Sequence, residues 1–85
     1  MDVAQTIERL KYQLSEVRAK HAEAKMRVRQ LQLSVGPTSR ELSEAKTLKV
    51  RLKDEIAMLE RRLKQYGLSE DEIAAVGAVL ETAET

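Results

Sequence analysis

The side chains in this 85-residue chain that could do chemistry are one histidine, two runs of adjacent carboxylates and a concentration of lysine and arginine. His21 is the single imidazole and the chain has no cysteine, so thiolate nucleophiles, disulfides and Cys/His metal sets are excluded. Asp54-Glu55 and Glu70-Asp71-Glu72 put acids side by side, but a helix turns neighbouring residues to different faces. Acids in a first helical turn also meet the favourable end of the helix dipole, which explains the second run without catalysis. No glycine-rich phosphate loop, paired histidine or Ser/His/Asp arrangement is present. The expectation is a chain that is not an enzyme, with no catalytic, cofactor-binding or metal-binding residues.

The basic residues carry more information. Between Ala24 and Lys53 there are eight of them, Lys25, Arg27, Arg29, Arg40, Lys46, Lys49, Arg51 and Lys53, against two acids, Glu41 and Glu44. Such a region attracts phosphates or an acidic protein, and it can equally be a solvated face. Nucleic-acid modules usually add stacking aromatics, and here Tyr12 and Tyr66 are the only aromatic residues. The net charge of +1 hides a division: all 15 Lys and Arg lie in residues 1–67 with nine acids, whereas residues 68–85 carry five acids and no base. That asymmetry marks an interaction surface, or an acidic tail lying on its own basic body.

Long helices must position these groups. Val3, Ile7, Leu10, Leu14, Val17, His21, Ala24, Val28, Leu31 and Val35 recur in alternating steps of 4 and 3, the a/d seam of a coiled coil. Gly36-Pro37 interrupts that pattern, and a second seam follows through Leu42, Ala45, Lys49, Leu52, Ile56, Leu59, Leu63 and Tyr66. Thr38 and Glu41 have the spacing of a capping box at its start. Two seams joined by so short a loop can meet only as an antiparallel hairpin. Folding about Pro37 sets Val17 by Leu59, His21 by Ile56, Leu14 by Leu63 and Leu10 by Tyr66, with Arg18 approaching Glu60, Lys20 approaching Glu55 and Lys25 facing Lys53.

Gly67 ends the second helix, and Leu68-Ser69-Glu70-Asp71-Glu72 supplies a staple residue, an N-cap and an acid at the third position of another helix. The expected fold is all-α: an antiparallel coiled-coil hairpin over residues 1–66, with helices 2–34 and 39–66 about a loop at 35–38. A short acidic C-terminal helix over 70–82 and a frayed end occupy 67–85, and the whole assembles into a helical bundle. With 34% charged residues, 2% aromatic residues and three glycines, the composition fits this class.

His21 and Lys49 are the polar residues of the two seams, where such residues fix register; His21 would also weaken the contact if its imidazole became charged. On the far side of the first helix Tyr12, Ala19, Met26 and Leu33 repeat every seven residues, where polar groups are usual. Together with Ile73, Val76 and Leu80 they form the expected partner or oligomer interface, with a homodimer as the simplest assembly. The functional expectation is a non-enzymatic protein–protein interaction module, an adaptor, scaffold or small regulator acting through helix-on-helix contact. The alternatives are a nucleic-acid-associated protein using the basic loop half, and a chaperone or export-type hairpin binding an amphipathic helix. No apolar run approaches a membrane span, and Met1-Asp2-Val3-Ala4 lacks the basic and hydrophobic sequence of a leader, so a cytoplasmic chain without membrane contact is expected.

Residues 45–56, Ala-Lys-Thr-Leu-Lys-Val-Arg-Leu-Lys-Asp-Glu-Ile, resemble the second-helix signature of the small bacterial YdcH-like family, roughly K-x-x-K-L-x-L-K-D-E-I/M. Upstream, Lys20-His21-x-x-Ala24-x-x-x-Val28 is similar to that family's K-H-x-x-L-x-x-x-I. The likeness covers residues 18–60; Ala24 replaces a larger apolar residue, and 67–85 add an acidic helix that short members lack. The resemblance implies a helical hairpin in a bacterial cytoplasm and no activity, because the family is one of unknown function.

Overall fold

A computed structural model of the chain describes residues 2–34 and 39–77, and consists of three helices, α1 (Val3–Leu33), α2 (Ser39–Gln65) and α3 (Glu70–Ala74). Asp2 caps α1 by accepting a 3.0 Å hydrogen bond from the Ala4 N–H. At the other end Ser34 turns extended while its N–H and hydroxyl both donate to the Gln30 carbonyl. The expected loop at 35–38, with the cap at Thr38, lies outside the described residues. Among those described, α1 packs lengthwise on α2 as the hairpin that the two seams required, in a molecule 51 × 29 × 19 Å across.

The seam is uneven along its length. Its open end holds a cluster of Leu10, Leu14, Leu59, Leu63 and Ile73, with Leu14 and Leu63 wholly buried and Ile7, Val17, Ile56, Leu68 and Val76 packed around it. Towards the loop end the buried side chains are Ala24 and Val28 on α1 and Ala45 and Leu52 on α2, three of the four smaller than leucine. Full burial of a Leu or Ile contributes about 1.5–3 kcal/mol, so the open end is the stronger anchor.

The turn after α2 explains why α3 folds back. Gly67 adopts φ +95°, its N–H donates to the Lys64 carbonyl at 2.9 Å, and the Leu68 N–H reaches the Leu63 carbonyl at 3.3 Å. This paired closure is a Schellman motif, and the Leu68 side chain joins Leu63 in the core as the motif favours. Ser69 then caps α3 in a reciprocal capping box: the Glu72 N–H donates to the Ser69 hydroxyl and the Ser69 N–H to the Glu72 carboxylate, both at 3.1 Å.

Three expectations are corrected here. Tyr66, expected in the seam opposite Leu10, is 44% exposed, because α2 stops at Gln65 and the turn carries Tyr66 outward. Ile73, 3% exposed, covers Leu10 in its place. Among the described residues the third helix, expected over 70–82, ends at Ala74, and Gly77 follows with φ +84°; 78–82 and the expected frayed end lie outside them.

Candidate functional site

The hairpin carries three surfaces with distinct chemistry: a clamp where α3 is held, a basic groove at the loop end, and an apolar stripe on the back of α1. At the clamp the Arg18 guanidinium donates to the Ile73 carbonyl at 3.0 Å, to the Val76 carbonyl at 2.6 Å and to the Glu60 carboxylate at 2.9 Å. The sequence pointed to the Arg18–Glu60 pair; the carbonyls are additional, a cation at the negative end of a helix dipole. Lys20 and Glu55 form no ion pair among the described residues.

Beside the clamp lies a cleft of about 560 Å³ lined by Arg18, Glu60, Lys64, Glu70 and Ile73 among others. Its two carboxylates are occupied, Glu60 by Arg18 and Glu70 by Lys64 at 2.9 Å. The hydrogen bond and charge of Lys64 hold the Glu70 carboxyl below its ordinary value, which fixes it as an anion instead of tuning it as a proton donor. Among the described residues no cluster of three or more His, Cys, Asp or Glu side chains converges as a metal-binding group would.

The basic groove is built by matching stripes. Lys25, Val28, Arg29 and Gln32 follow one another on one side of α1, and Lys46, Lys49, Val50 and Lys53 on the adjoining side of α2; together they line a groove of about 570 Å³. Five of the eight sequence-predicted bases therefore converge. Arg40 instead pairs with Glu44 at 3.4 Å on α2, Arg51 borders a separate shallow depression with Glu44 and Leu48, and Arg27 is exposed and does not line the groove. Val50, 57% exposed, was not singled out as a site residue, although its place four residues after Lys46 and three before Lys53 puts it on the basic stripe.

Three of these lysines act on one imidazole. His21 sits in the seam with its Nε2 buried and without a hydrogen-bond partner. Burial, together with the positive charges of Lys25, Lys49 and Lys53, pushes its pKa below the ordinary 6.5, so the neutral ring is favoured.

The back of α1 presents Tyr12, Met26 and Leu33 at 65%, 63% and 77% exposure, with Ala19 exposed between them. Glu16, one turn on from Tyr12, raises the pKa of its phenol. The other predicted interface residues lie elsewhere. Ile73 and Val76 belong to the molecule's own core, because the turn at Gly67 brings α3 onto the hairpin; Leu80 lies outside the described residues. No helix among the described residues is long and apolar enough to cross a membrane.

The family model described as a protein of unknown function (DUF465) matches residues 14–60, the small hairpin family that the sequence resembles. The match contains the whole basic groove and stops short of α3. No curated protein and no solved structure matches the chain.

Proposed function

We propose that this chain, which belongs to the DUF465 family of unknown function, is a non-enzymatic protein–protein interaction module that self-associates through the back of α1. The observation that carries this reading is the exposed stripe of Tyr12, Met26 and Leu33, left over after both seams have been used within the chain. Tyr12 and Leu33 are 21 residues apart, so the stripe runs about 31 Å along the helix, long enough to seat a second hairpin. A two-fold contact buries each side chain twice, once per protomer, which raises the return from three residues against the cost of association. The absence of catalysis is part of the proposal and is supported by cleft carboxylates held as charged partners of Arg18 and Lys64. So is a cytoplasmic setting, which the family resemblance supports.

Absolute mass by light scattering tests the reading. The full chain is expected to run as a dimer or a higher oligomer. A chain carrying both Met26→Glu and Leu33→Glu is expected to run as a helical monomer, since both substitutions lie on an exposed face and leave the hairpin seam intact. A monomeric parent chain, or a variant of unchanged mass, overturns the proposal.

A further inference from the structure

We propose that the basic groove at the loop end of the hairpin binds an acidic amphipathic helix of a partner protein. This names a second surface for the interaction module and does not depend on the stripe of α1. Five cationic side chains, Lys25, Arg29, Lys46, Lys49 and Lys53, line the groove with no carboxylate among them. None of the five enters an ion pair among the described residues. Lys25, Lys49 and Lys53 all act on the single His21 ring, so their charges converge instead of dispersing. Like charges lining one groove repel in the free protein, and an anionic occupant relieves that repulsion.

The molecule already shows how this flank takes an acidic helix. Arg18 lies seven residues before Lys25 on α1, and Glu60 seven residues after Lys53 on α2, so the clamp and the groove share one side of the hairpin. At the clamp, α3 carries Glu70, Asp71 and Glu72 in its first turn, inserts Ile73 into the seam and pairs Glu70 with Lys64. The groove continues this lane past the end of α3 with the same elements: basic side chains, and apolar lining from buried Val28 and exposed Val50.

Val50 selects the occupant. A phosphate backbone gains nothing from exposed Val50, whereas a helix with one apolar face buries against it and brings carboxylates to the lysines on both sides. Lys46 and Lys53 stand about 10 Å apart along α2, two turns, and Lys25 and Arg29 about 6 Å, one turn. Carboxylates spaced four and seven residues apart on a partner helix meet both spacings.

Fluorescence anisotropy with the full chain tests the inference. The probe is a labelled synthetic peptide of about 18 residues with leucines on one helical face and glutamates flanking them, compared with a scramble of the same composition and with a duplex DNA. The amphipathic peptide is expected to bind roughly tenfold or more tightly than the scramble. Lys46→Glu with Lys53→Glu is expected to weaken it about tenfold or more, and Val50→Ser about fivefold. All three positions are exposed, and circular dichroism checks that the variants remain helical. Equal binding of the scramble, no binding at all, or indifference to Val50→Ser overturns the proposal. Tighter binding of the duplex that depends on the lysines but not on Val50 overturns it in favour of a nucleic-acid site. Groove variants are expected to leave the oligomeric mass unchanged; peptide binding that survives them but is lost with Met26→Glu and Leu33→Glu places the site on the stripe and overturns the groove.

Discussion

Replacing Arg18 with Met is expected to release α3 from the hairpin while leaving the hairpin folded. The substitution keeps an apolar stem of similar length and removes the guanidinium fork. Two hydrogen bonds from a charged donor to the Ile73 and Val76 carbonyls are lost, at 3.0 and 2.6 Å. Bonds of this kind contribute about 1.5–3 kcal/mol each, and with the Arg18 side chain 25% exposed the lower figure applies, giving about 3 kcal/mol for the two. The ion pair to Glu60, whose side chain is 40% exposed, adds no more than about 1 kcal/mol because solvent screens it. Against this stands the anchoring of Ile73, worth about 1.5–3 kcal/mol at full burial, so removing the clamp takes away an amount comparable to what remains. A loss of about 3 kcal/mol raises the open population of α3 by roughly two orders of magnitude. Native-state hydrogen exchange reads this at the amides of Ile73, Ala75 and Val76, which donate to the carbonyls of Ser69, Asp71 and Ile73. Their protection is expected to fall about a hundredfold, while amides in the middle of α1, such as Ala24 and Val28, keep theirs. Glu60→Gln is expected to lower protection by no more than about fivefold. Unchanged protection in Arg18→Met, or an equal loss in Glu60→Gln, refutes the assignment of the clamp to the carbonyl bonds.

Two further perturbations probe the seam and the turn. His21 has a folded-state pKa below its ordinary 6.5, so its neutral form is the one the fold favours, and the linked stability is complete above pH 6.5 and declines as pH falls from there through the folded pKa. Denaturant midpoints at about pH 7.5 and about pH 5.5 are expected to show this decline in the parent chain and a smaller one in His21→Gln; parallel behaviour would refute it. Glu70 and Glu72, both held below 4.5, contribute stability that is lost only below that value, so the two windows separate. Gly67→Ala is expected to cost about 1–2 kcal/mol through the backbone alone, since φ is +95° and nothing beyond its chain neighbours lies within 4 Å of the added methyl; an unchanged midpoint would show that the turn does not need that conformation.

Much of this architecture is written in local chemistry. The 4 and 3 steps from Ile7 to Leu31 fix which face of α1 turns inward, because helix geometry repeats whatever its surroundings, whereas Val3, in the same pattern, is 57% exposed. Gly67, Ser69 and Glu72 fix the turn and the cap, since each acts on backbone groups a few residues away. The back stripe of Tyr12, Met26 and Leu33 is legible for the same reason, as whatever lies opposite the seam is left exposed. The destination of α3 was not legible: Ile73 suits a partner's surface as well as its own hairpin until the closure at Gly67 turns the chain back onto Leu10 and Leu14. Tyr66 continued the heptad in sequence but fell outside the core because the helix ended one residue earlier. Nor could a count of eight bases show that five share a groove with Val50, or that Arg18 reaches two carbonyls 55 and 58 residues away. Periodicity determines which face each helix turns inward, while the side on which two helices present their flanks to a third group depends on the register between them and the path of the turn, which only the folded chain decides.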